Sequence, residues 1–227
     1  MRGGPFCRQR KEAGPTRSLF LMLSALAASG LGAWGCEHDP TILETHDLDL
    51  RGATSADFHS MYLTMSDGVR IAVDVAVPND HPSGVQLPTI IELTRYWRRR
   101  EAELPYTVRR ALQRGFAWVA IDERGTGSSF GEWPAPLTDR ALQDGREIID
   151  WIVSQPWSNG RVGATGVSYP GMAAQQLAAY GHPALRAIVP MSDTYDQYED
   201  LIFPGGVFNE AFTQGLSLIH ISEPTRQ

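Results

Sequence analysis

Two alternating apolar runs, Met61 to Met65 and Val69 to Val77, lie on either side of Ser66-Asp67-Gly68. A period of two predicts strands with one buried face, and Asp-Gly between two such runs predicts a hairpin. Pro78 and the polar stretch Asn79–Gly84 break the second run. The pattern then changes. Thr89 to Leu93 is a short β-branched run, as expected of a strand covered on both faces. Tyr106 to Gln113 has helical composition and stops before Gly115, while Phe116 to Ile121 reads as a second buried strand. Thr138 or Asp139 can cap a helix reaching about Ser154, with Leu142, Ile148, Ile149 and Ile152 on its apolar side. Arg161 to Thr165 predicts a third strand, Met172 to Tyr180 a third helix and Leu185 to Pro190 a fourth strand. Strands separated by such helices imply a mostly parallel sheet covered on both faces, with the early hairpin adding antiparallel strands at one edge. There is no internal repeat.

Residues 1–36 follow another rule. Arg2, Arg8, Arg10, Lys11 and Arg17 precede an apolar stretch from Leu19 to Trp34 that is interrupted by Ser24, Ser29, Gly30 and Gly32. Basic residues before a short apolar run predict an export signal rather than a permanent span. Cys36 follows Ala33-Trp34-Gly35, as in a bacterial lipoprotein cleavage box, and would be the only cysteine left after cleavage. The alternative is plain secretion after a small residue such as Ala33. The expected location is therefore periplasmic or membrane-anchored through a lipid at Cys36, otherwise secreted. Residues 37–57 are acidic and without period and read as a tether, with ordered structure beginning near Phe58.

Composition narrows the function. The formal net charge of −6, with 42% hydrophobic and 20% charged residues, describes a globular chain without the basic footprint of a nucleic-acid binder. Arg98-Arg99-Arg100 is the one local basic cluster and reads as a solvated loop. Gly125-Thr-Gly127-Ser-Ser-Phe-Gly131 follows a strand, but Glu132-Trp-Pro134-Ala-Pro136 cannot open the helix that a dinucleotide loop requires. Asp122 and Arg124 are expected to brace that loop. No cluster has metal-ligand spacing, and His182, ahead of Pro183 at a helix end, reads as structural or as complementing the helix dipole.

The chemistry lies in Arg161-Val-Gly-Ala-Thr-Gly166-Val-Ser168-Tyr169-Pro170-Gly171. A strand runs into Gly166, a serine follows two residues later, and a helix starts at once, which is the setting of a nucleophile elbow. The tight turn strains the serine backbone and holds its hydroxyl at the carboxyl edge of the sheet, where helical N–H groups can stabilise an oxyanion. Pro170 replaces the second glycine of Gly-x-Ser-x-Gly, and Gly171 comes one later.

Gly166-Val-Ser168-Tyr169-Pro-Gly171 resembles the elbow of the cocaine esterase and X-prolyl dipeptidyl-peptidase family of serine hydrolases, which includes α-amino acid ester hydrolases and glutaryl acylases. In the same order, Met65-Ser-Asp-Gly-Val-Arg70, Asp122-Glu-Arg-Gly-Thr-Gly-Ser-Ser129, Gln155-Pro-Trp-Ser-Asn-Gly-Arg-Val-Gly163 and Gly181-His-Pro-Ala-Leu185 are similar to that family. The resemblance covers residues 58–214. It implies a truncated α/β-hydrolase fold, Ser168 as nucleophile, the Tyr96 hydroxyl and the Tyr169 backbone N–H as oxyanion donors, no cofactor, and a small ester, amide or short-peptide substrate. On the same basis the acid and histidine of the triad would fall outside this chain, since no later carboxylate or histidine has the expected setting. Asp193 to Phe212 would enter a helical cap, with Asp193 itself capping a loop. Residues 215–227, Gly215 to Gln227, have no counterpart in that family and read as a non-native tail. The expected activity is therefore acyl transfer by the intact protein and none from this chain. The alternative is a lipid-anchored binding module that keeps the scaffold without the chemistry.

Overall fold

The structure is a computed structural model that describes residues 42–49, 55–82, 84–98 and 104–221. The seven strands among them are β1 (Ile42–Asp49), β2 (Ser55–Thr64), β3 (Arg70–Pro78), β4 (Leu87–Thr94), β5 (Ala117–Asp122), β6 (Ser158–Val167) and β7 (Leu185–Met191). They form one sheet in the order β1-β2-β3-β5-β4-β6-β7. β1, β2, β3 and β5 pair antiparallel in turn, whereas β5, β4, β6 and β7 run parallel. A parallel core with an antiparallel hairpin on one side is the arrangement that the strand and helix pattern implied.

Local chemistry explains the element ends. At the β2–β3 hairpin Met65 N–H donates to the Val69 carbonyl at 2.8 Å, and Gly68 supplies the positive φ of 83°. Helix α1 spans Tyr106–Gln113 and stops where Gly115 turns left-handed at φ 77°. Helix α2, Asp139–Ser154, begins at Thr138, whose hydroxyl accepts the Ala141 N–H at 3.2 Å. Helix α3, Tyr169–Tyr180, ends at Gly181 in the left-handed conformation. It starts three residues before its expected start at Met172. Pro170 and Gly171 sit in its first turn, where a missing N–H costs little.

The sheet buries both faces. On one side Ile71, Val73, Val75, Ile91, Val119 and Ile121 pack against Ile148, Ile149 and Ile152 of α2 and Leu177 of α3. Each isoleucine fully withdrawn from water contributes roughly 1.5–3 kcal/mol. On the other side Phe58, Ala76, Trp118 and Ala120 meet Val108, Ala111 and Leu112 of α1. This second layer stops short, leaving Val189 and Met191 of β7 and Val167 at the end of β6 exposed. The unfilled space beside α1 reaches the carboxyl ends of β4 and β6.

The stretch expected to be a tether is in part strand, because β1 lies within it and β2 already starts at Ser55. An outer strand is recruited by backbone pairing and needs no apolar period, so side-chain pattern did not reveal it. The export signal and the box at Cys36 lie outside the described residues. After β7 the chain makes a π-helical turn at Tyr198–Ile202, a 3₁₀ turn at Pro204–Gly206 and helix α4, Glu210–Ile221, which runs through residue 215. Ring contacts of Tyr198 with Phe203 at 4.7 Å and Phe203 with Phe208 at 5.3 Å hold this segment together. No helix among the described residues is long and apolar enough to cross a membrane.

Candidate active site

β6 delivers the chain to Ser168 at φ 63° and ψ −124°, a conformation that a side chain rarely adopts, and α3 opens at the next residue. The turn is held at both ends: Ser168 N–H donates to the Met191 carbonyl at 2.9 Å, and its own carbonyl accepts the Met172 N–H at 3.0 Å. Space explains the glycines. A Cβ on Gly166 would lie 2.2 Å from the Pro170 Cβ and 2.5 Å from its carbonyl carbon, and one on Gly171 would lie 2.8 Å from the Met191 carbonyl oxygen. Gly171, one place later than the usual motif, is where α3 touches β7. Gly166→Ala is expected to destabilise the fold by about 1–3 kcal/mol, read as a lower denaturant midpoint, because the clash is with backbone.

Ser168 and Tyr96 line the same cavity of about 780 Å³, together with Trp97, Val167, Pro170 and Met191. Tyr96 follows the end of β4, where its N–H donates to the Thr94 hydroxyl at 2.9 Å. Its ring stands edge-on to that of Tyr169, with centroids 5.9 Å apart. Tyr169 turns its ring away from solvent and is 1% exposed. Its hydroxyl donates to Glu123 Oε2 and accepts the Leu137 N–H at 3.1 Å. Burial, reinforced by Glu123, pushes the Tyr169 phenol far up, so it remains a donor across the physiological range. The Tyr169 N–H, at the first helical position, is one of the donors an α-helix leaves without an internal partner.

Charges that the sequence placed on loops are buried around this site. Arg98 is not solvated: its Nε donates to Asp74 at 2.8 Å, its Nη1 to Asp122 at 2.6 Å and its Nη2 to the Ser60 hydroxyl at 2.9 Å. Arg99 and Arg100 lie outside the described residues. Asp122 also accepts the Arg98 N–H at 2.6 Å and the Ser128 N–H at 2.9 Å, so it braces both loops. The glycine-rich loop folds around that carboxylate, since a Cβ on Gly127 would sit 2.4 Å from Asp122 Cγ. No helix begins at these glycines, and α2 waits until Asp139. Arg124 braces the same region by gripping Asp144 with Nε at 2.6 Å and Asp67 with Nη2 at 3.0 Å. Burial pushes the Glu123 carboxyl up, against the pull of the Tyr169 hydrogen bond.

The histidines among the described side chains lie elsewhere. His182 accepts the Ala184 N–H at Nδ1, 3.0 Å, and meets Asp150 through Nε2 at 2.9 Å. These two contacts tie the end of α3 to α2 and to the start of β7, a structural place in the fold. No histidine among the described side chains lines the cavity with Ser168. Asp193 accepts the Thr194 N–H at 2.8 Å, and Asp196 and Asp200 cap the following turn through backbone N–H groups. No group of three or more potential metal ligands occurs among the described residues.

Glu123, Arg95 and Arg98 were not singled out as site residues from sequence. Their available signal was position: each charge stands within a few residues of the end of a strand buried on both faces, where a loop must fold back over it.

Residues 67–226 match the family described as X-Pro dipeptidyl-peptidase (S15 family). A protein named as a candidate serine esterase in Mycobacterium bovis is 40% identical over 173 residues, 69% of this chain and 28% of that protein. The cocaine esterase of a Rhodococcus strain is 32% identical over 169 residues, 70% of this chain and 28% of that enzyme. The chain thus spans under a third of the length of these curated relatives. Among solved structures, a CocE/NonD family hydrolase from Staphylococcus aureus superposes with a TM-score of 0.64 at 23% identity, over 75% of this chain and 34% of that one. An α-amino acid ester hydrolase superposes with a TM-score of 0.55 at 26% identity, over 63% of this chain and 26% of that one. The fold is that of the α/β-hydrolases, and the chain belongs to the X-Pro dipeptidyl-peptidase family.

Proposed function

We propose that this chain is the nucleophile-bearing part of a serine hydrolase that cleaves an ester or amide through an acyl-enzyme on Ser168. The strained φ of 63° at Ser168, at a strand–helix junction facing a cavity, is the observation that carries the reading. In the full-length protein a histidine takes the Ser168 proton as Oγ attacks the carbonyl carbon. The Tyr96 hydroxyl and the Tyr169 N–H hold the resulting oxyanion until the leaving alcohol or amine departs with that proton. Water then attacks the acyl-enzyme and restores the serine. None of these steps calls for a cofactor. The names of the relatives, cocaine esterase, α-amino acid ester hydrolase and Xaa-Pro dipeptidyl-peptidase, support a small acyl ester, α-amino acid ester or X-prolyl peptide as substrate.

We further propose export on the basic-then-apolar residues 1–36, with Cys36 as lipid attachment. Fluorophosphonate treatment of the full-length protein, followed by peptide mass analysis, is expected to place the adduct on Ser168. Because no histidine among the described side chains lines the cavity with Ser168, the 227-residue chain is expected to show no turnover. Full-length protein that neither labels nor turns over esters would replace this reading with that of a lipid-anchored binding module.

A further inference from the structure

Glu123 is 1% exposed and stands at the carboxyl end of β5, facing the first residue after Ser168 across the sheet edge. A buried carboxylate is a costly way to fill space, and a Phe–Leu contact would pack the same volume without desolvating a charge. What this carboxylate holds is the Tyr169 hydroxyl, which also accepts the Leu137 N–H. Leu137 adopts φ 51°, so the loop ahead of α2 bends to present that N–H. Glu123 is itself tied to β4 by its N–H, which donates to the Thr94 carbonyl at 2.8 Å. The Arg95 guanidinium lies 4.4 Å from the Tyr169 ring centre and 5.2 Å from that of Tyr96, packing one cation against both candidate oxyanion donors.

Resting on the assignment of Ser168 and the Tyr169 N–H above, we propose that Glu123 is a positioning residue of the oxyanion site. It fixes the direction of the Tyr169 N–H by anchoring that residue's own hydroxyl. Two side-chain torsions join the phenol of Tyr169 to its peptide. With the hydroxyl clamped by Glu123 and Leu137 and the backbone committed to α3, the N–H has little freedom to swing away from a developing oxyanion. Tyr96, stacked edge-on to the same ring, is held by the same clamp.

The test uses the full-length protein, with a p-nitrophenyl ester as substrate and active sites titrated by a fluorophosphonate. Glu123→Ala is expected to lower kcat per titrated site by roughly 10- to 100-fold with little change in KM, the scale of a displaced catalytic donor. Tyr169→Phe, which loses the Glu123 and Leu137 contacts together, should show at least that loss, and the double variant should be no worse than Tyr169→Phe alone, since the Glu123 contact is already gone in it. Glu123→Gln keeps an oxygen that accepts from the phenol and should restore kcat to within about threefold of wild type. Unchanged kcat per titrated site in Glu123→Ala and Tyr169→Phe would overturn the proposal, as would additive losses or a Gln variant as impaired as Ala. Should the Ala variant not fold, Tyr169→Phe and Glu123→Gln carry the same decision. Wild-type protein that fails to label at Ser168 would remove the nucleophile assignment and this proposal with it. Labelling with unaltered kcat in the variants removes only this one.

Discussion

Ser168→Ala in the full-length protein is expected to cut kcat for ester hydrolysis by about six orders of magnitude while leaving the protein folded. The size follows from the role: no other group at the elbow can form the acyl-enzyme, so what remains is the weak assistance of the oxyanion donors to direct attack by water. The same position makes a second, opposite effect visible. Ser168 sits at φ 63° and ψ −124°, which glycine adopts without steric cost. Ser168→Gly is therefore expected to abolish turnover equally and yet raise stability by about 1 kcal/mol, because the backbone strain disappears. Urea titration with parallel ester assays measures both. Residual activity within about tenfold of wild type in either variant would assign the nucleophile elsewhere.

Arg98→Met is expected to be the most destabilising change in the described part of the chain. It leaves the buried carboxylates of Asp74 and Asp122 without their shared guanidinium, which typically costs about 3–5 kcal/mol. The loss should depend on pH. Burial already pushes the Asp122 carboxyl up, with Arg98 and the backbone N–H of Ser128 pulling it back, so removing Arg98 lets it rise further. An acid with a raised folded-state value binds its proton more readily when folded, and stability then grows as pH falls toward that value. The deficit against wild type should be largest near about pH 7 and shrink toward about pH 5, as denaturant midpoints at the two values would show. An equal deficit at both would mean that Asp122 does not bear the cost. Tyr96 lies two residues before Arg98 and Asp122 grips the Arg98 N–H, so the variant should also lose kcat as the Tyr96 loop loosens.

Much of this was legible in the chain. The four apolar positions of α2 and the Asp67-Gly68 hairpin are found where the pattern put them, and of the two caps it offered Thr138 is the one used. Ser168 at a strand–helix junction is likewise where Gly166-Val-Ser168 predicted. Each departure has its own cause. β1 lies in a stretch without apolar period because an outer strand is held by backbone pairing. α3 starts at Tyr169, ahead of the apolar stretch from Met172, because proline and glycine are tolerated in a first turn. Arg98 belongs to a run of arginines that looks solvated, and only the approach of β3 and β5 gives it two carboxylates.

The sequence by itself determined the elements, their order and the position of Ser168 at a strand–helix junction, because periodicity, caps and turn glycines act between residues a few places apart. Tertiary structure decided which charges are buried, what they hold, and that Tyr169 faces a carboxylate rather than the cavity. Those partners are far apart along the chain, 24 residues for Arg98 with Asp122 and 46 for Tyr169 with Glu123. A contact of that kind exists only once the sheet has set β4, β5 and β6 side by side and water has been excluded between their ends.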